Sequence, residues 1–83
     1  MRRMAPLVVA YLLAGRAKSS LTIFDVHGRA VRCLLRGAVR PGGWGEARWD
    51  GKTDQGRQVA SGMYFARMYA GKASYVQGVV LLK

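Results

Sequence analysis

Turn signals punctuate this chain about every eight to twelve residues, the cadence of short strands joined by tight connections. They are Gly15-Arg16, His27-Gly28, Pro41-Gly42-Gly43, Asp50-Gly51, Asp54-Gln55-Gly56 and Gly71-Lys72. A helix in a globular protein averages about eleven residues, and no segment here shows an apolar repeat of helical period. Apolar alternation of period two fills the intervals instead. In 19–26, Leu21 and Ile23 point one way and Ser20, Thr22 and Phe24 the other. In 44–49, Gly45, Ala47 and Trp49 share a face, with Trp44, Glu46 and Arg48 opposite. In 63–69, Tyr64, Ala66 and Met68 alternate with Phe65, Arg67 and Tyr69. The spacing also predicts strands over 7–13, 31–35 and 73–82, and a loop over 37–43. The doubled Leu34-Leu35 breaks the alternation and marks a bulge. Six or seven short strands of this kind define an all-β fold, a sandwich or small barrel.

The stretch 49–56 is the centre of this pattern. Trp49 ends a strand and is large enough to plug a small core. Asp50-Gly51 and Asp54-Gln55-Gly56 follow it within seven residues. Glycine reaches positive φ cheaply and Asp caps its own turn, so the backbone reverses immediately after the indole. Small residues on the Trp49 face, Gly45 and Ala47, leave room for its ring.

Eighty-three residues make one domain. A chain this short buries only about 60–65% of its unfolded surface. Its hydrophobic content of 51% still supplies a core and excludes a disordered tail. The lone cysteine, Cys33, excludes a disulfide-stapled miniprotein. Net charge is +10, from 14 basic and 4 acidic residues. That balance favours anionic partners. The arginines are scattered rather than run together, which reads as a solvated surface.

Arg2-Arg3 followed by an apolar stretch resembles the start of a signal peptide, but the stretch is too short to span a membrane. Reading 7–13 as a strand is preferred, because without it a five-strand remnant exposes its core edge. The all-apolar composition leaves the register of this strand open.

Chemistry is sparse. His27 is the only histidine and reads as a turn residue, with no second base to build a catalytic dyad and no ligand set for zinc. Cys33 reads as a small buried hydrophobe. Asp50 and Asp54 are few for calcium and have Lys52 between them, so they read as turn caps. Asp25 and Arg29 flank the His27-Gly28 turn and are expected to pair across it. Trp44, Phe65 and Tyr69, near Arg40, Arg48 and Arg67, are the residues that would stack bases if the chain bound nucleic acid.

Several pieces occur together in a known order. The string Leu21-Thr22-Ile23-Phe24-Asp25-Val26-His27-Gly28-Arg29-Ala30-Val31 resembles an L-x-I-Y-D-x-x-G-R-x-V hairpin, with Phe24 at the usual Tyr. Then come Trp49-Asp50-Gly51, Asp54-x-Gly56, Val59-Ala60-Ser61-Gly62-Met63-Tyr64 and a closing Val79-Val80-Leu81-Leu82-Lys83. The set resembles the C-terminal Ig-like domain shared by type IX secretion sorting domains and the flagellar hook-capping, FlgD-type family.

The resemblance implies an antiparallel Ig-like sandwich of about seven strands without enzymatic activity. Residues 1–5 would be a disordered lead-in and 6–83 the sorting or accessory domain. The family's Asn-Pro lead-in and large cargo region do not appear, so the chain is expected to be a detached domain or fragment. Its motif residues would be Asp25, Gly28, Arg29, Trp49, Asp50, Gly51, Asp54, Gly56, Gly62 and Tyr64. Expected partners are secretion machinery or a parent-protein domain, with an anionic cell-surface polysaccharide as a further candidate. Cofactor, metal, small-molecule substrate and nucleic acid fall outside the expectation. The location implied is secreted or at the cell surface.

Overall fold

The computed structural model describes residues 7–82. The expected lead-in over 1–5 lies outside them. Six strands run in chain order: β1 (Leu7–Leu13), β2 (Ala17–Phe24), β3 (Ala30–Arg40), β4 (Gly43–Trp49), β5 (Gly62–Ala70) and β6 (Ala73–Leu81). No helix interrupts them among the described residues. β1 and β4 form a two-stranded sheet, and the second sheet has the order β3-β2-β5-β6. Every pairing is antiparallel.

The two sheets face each other across one apolar layer. Val9, Tyr11, Leu13, Ala47 and Trp49 come from the small sheet. Leu21, Ile23, Leu35, Tyr64, Ala66, Met68, Val79 and Leu81 come from the large one. This is an Ig-like β-sandwich with six described strands, where the resemblance implied about seven. The segment 50–61 supplies only an isolated bridge, Lys52 to Gln58.

Alternation places side chains as expected on β2, β4 and β5. The open register of β1 resolves with Val9, Tyr11 and Leu13 inward and Val8, Ala10 and Leu12 outward. Tyr11 and Gly45 are cross-strand partners. A Cβ at Gly45 would lie 2.4 Å from Tyr11 Cζ. The space over Gly45 is therefore taken by the Tyr11 ring.

β3 departs most from the sequence expectation. It runs on to Arg40, so 37–40 is strand and not loop. Its 11 residues pair with the 8 of β2 through three register shifts. One shift passes over Leu34, since Leu21 faces Leu35 and Thr22 faces Cys33. Another falls beside Gly37, whose φ of 62° suits the left-handed position of a bulge. The Gly37 N–H donates to Ser20 Oγ at 3.1 Å. Gly37 thus bends a continuing strand, where its residue type alone suggests a turn.

At one end of the sandwich lie the connections 14–16, 41–42 and 71–72. At the other lie the β2–β3 turn, the segment 50–61 and the starts of β1 and β5. This second pole gathers the motif residues.

Candidate functional site

At the β2–β3 turn, one carboxylate organises five residues. Asp25 Oδ1 accepts from the His27 N–H at 2.9 Å and the Arg29 N–H at 3.0 Å. Asp25 Oδ2 accepts from Arg29 Nε at 3.2 Å. The Gly28 N–H closes the turn onto the Asp25 carbonyl, with Gly28 at φ 80°. The Arg29 backbone N–H outweighs the upward push of desolvation and, with lesser help from the His27 N–H and the Arg29 guanidinium, holds the Asp25 carboxyl below its ordinary value. The expected pairing of Asp25 with Arg29 is present, and His27 serves the turn through its backbone.

Trp49 is fully buried, and its ring meets Tyr64 edge-on, centroids 5.1 Å apart at 74°. Both polar handles are satisfied by the adjoining segment. Trp49 Nε1–H donates to the Lys52 carbonyl at 2.9 Å, and Tyr64 Oη–H donates to the Ala60 carbonyl at 2.6 Å. Burial, then the nearby Asp25 charge, raises the Tyr64 phenol above its usual value. Gly62 opens β5 two residues before Tyr64.

The segment 50–61 is clasped to the edge strand β3. Asp50 caps its own turn, accepting from the Lys52 N–H at 3.0 Å. Gly51 is buried behind it, its carbonyl accepting from the Val59 N–H. Asp54 does not cap the turn it begins. Thr53 Oγ1 does so, accepting from the Gln55 and Arg57 N–H groups, while the Gly56 N–H donates to the Thr53 carbonyl. Asp54 instead turns toward β3. Its N–H donates to the Val31 carbonyl and its Oδ1 accepts from the Cys33 N–H at 3.0 Å.

Arg32 closes the clasp. Its Nη1 lies 3.1 Å from Asp50 Oδ1 and 3.4 Å from the Lys52 carbonyl, and its Nε lies 3.8 Å from Asp54 Oδ1. The two carboxylates considered for calcium thus face a guanidinium. Cys33 is half-buried rather than buried, with its thiol 3.4 Å from the Leu35 carbonyl. Trp44 is 76% exposed, whereas Phe65 is half-buried and only partly available to a partner.

All ten motif residues therefore lie at one pole, in two groups: the Asp25–Arg29 turn and the Trp49–Tyr64 clasp. Each makes a contact that shapes backbone or core. Sequence reasoning missed Arg32, since nothing distinguishes it among 14 basic residues. It also missed Tyr75, whose Oη lies 3.2 Å from the Leu12 nitrogen as acceptor and 3.5 Å from the Leu12 carbonyl as donor.

An indole and a phenol buried between two antiparallel sheets, with a loop pinned across them, define an Ig-like β-sandwich module. The family model of the FlgD Ig-like domain matches residues 3–74, and the chain belongs to that family. No match was found among curated proteins or among solved structures.

Proposed function

We propose that this chain is a non-catalytic Ig-like module of an exported bacterial protein, acting as a type IX secretion sorting and surface-attachment signal. Its action is binding. The observation that carries the reading is the state of β6. The strand pairs with β5 along its whole length, yet residues 73–78 are exposed on both faces. Sheet edges of this kind are templates for an added strand. Export machinery or a parent domain would engage this edge, and the exported protein would be released or held at the cell surface. An anionic surface polysaccharide complements the charge of +10.

Fusion of residues 5–83 to a reporter in a type IX-competent host tests this. Surface display is the expected result, and reporter held in the periplasm would sink the reading. A second reading is a structural accessory domain of the hook-capping kind, favoured by the FlgD Ig-like match. Under it the fusion stays unexported, and the domain binds a flagellar cap or parent-protein domain in a pull-down.

A further inference from the structure

We infer that the outward face of the four-stranded sheet, centred on Arg67, docks a partner segment that places a carboxylate beside an apolar side chain. The site uses the outward side chains of the sheet, including Val76 and Val80 of β6, and not the backbone edge of that strand. Cross-strand registers define it row by row. Phe24 faces Phe65, Thr22 faces Arg67, Arg67 faces Val76, and Met63 faces Val80. An open hollow of roughly 230 Å³ lies here, walled by Phe24, Val26, Phe65 and Val76 and reached by Arg67. Val76 is 53% exposed and Met63 and Val80 about as much, so the apolar ground continues beyond the hollow.

Arg67 has the marks of a cation waiting for an anion. Its guanidinium stands 5.6 Å from the centre of the Phe24 ring, and its Nη1 donates to Tyr69 Oη at 3.2 Å. Those contacts hold the side chain in place over the sheet and engage one of its five donors. The ion pairs among the described residues join Arg29 to Asp25 and Arg32 to Asp50 and Asp54, and none reaches Arg67. Asp25, at the rim of the hollow, is occupied by Arg29 and two backbone N–H groups. Glu46 lies on the other sheet, paired across from Ala10. A guanidinium placed in this way matches the two oxygens of a carboxylate.

The chemistry around Arg67 selects the occupant. Aliphatic Val76, Val80 and Met63 border the two phenylalanines, which suits apolar side chains more than a track of stacked bases. A second copy would set the same patch against itself, placing like charges together on a chain of net charge +10. An acidic segment carrying an aromatic or aliphatic residue meets both halves of the site.

The test uses the full 83-residue chain. A labelled synthetic peptide containing phenylalanine next to glutamate is titrated against it by fluorescence anisotropy. Matched peptides carry glutamine for glutamate, or serine for phenylalanine, and a single-stranded DNA oligomer serves as the phosphate probe. The expected result is saturable binding of the first peptide, weakened about tenfold by Arg67→Gln and by each peptide change. Val76→Ser, at an exposed position, weakens binding without unfolding the sheet, which circular dichroism verifies. Equal binding of the glutamine peptide, tighter binding of DNA, indifference to both variants, or concentration-dependent dimerisation through this face would each overturn the inference.

Discussion

Gly45 shows how one missing carbon sets the packing of two aromatics. A Cβ at this position would sit 2.4 to 2.6 Å from three atoms of the Tyr11 phenol. Tyr11 is buried, so its ring has nowhere to retreat except against the core. Gly45→Ala is therefore expected to cost about 1–3 kcal/mol, the range for overpacking a filled core. In urea unfolding the midpoint should fall with an unchanged slope. Combining it with Tyr11→Leu, which removes the obstructing phenol, should recover part of the loss, because residues in contact couple. A Gly45→Ala protein as stable as the parent would mean that Tyr11 does not occupy this space.

The segment 50–61 behaves as an element although it contains no strand. It holds to β3 through Asp54, which donates its N–H to Val31 and accepts from Cys33, and through Arg32, which gathers Asp50 and Asp54. Replacing Asp54 by Ala removes both the acceptor and the charge, for an expected loss of about 0.5–1.5 kcal/mol. Asp54→Asn keeps an oxygen for the Cys33 N–H and loses only the exposed ion pair, worth at most about 1 kcal/mol. Hydrogen exchange at the Cys33 amide separates the two. It should accelerate in the alanine variant and stay near the parent rate in the asparagine variant. Equal acceleration in both would assign the clasp to charge alone.

This element also marks where sequence stops being informative. Alternation located the inward faces of β2, β4 and β5, because each has one wet side and one dry side. β1 is apolar on both faces, so only its pairing to β4 shows that Val9, Tyr11 and Leu13 turn inward. β3 hides its length because its bulges break the period of two. The turn glycines and Asp25 were legible because local backbone chemistry alone requires them. Asp54 was legible as a residue but not as a contact, since its partners on β3 lie more than twenty residues away.

At the scale of the molecule, the two sheets are unequal, two strands against four, and one side of the sandwich stays open. The radius of gyration is 12.9 Å, with extents of 41, 27 and 21 Å. A compact domain of this length would have about 12 Å. The first six residues of β6, 73–78, are exposed along this open side. Tyr75 reaches back across that opening to the backbone of Leu12 on β1, a contact between residues 63 positions apart. Tyr75→Phe keeps the ring and removes only this link. The expected loss is about 1 kcal/mol. It should be local: exchange at the Leu12 amide quickens, while the edge-on Trp49–Tyr64 pair at the far pole keeps its indole fluorescence. If the far pole loosened as well, the sandwich would be held shut by its open side, and the buried indole would not be the contact that joins the sheets.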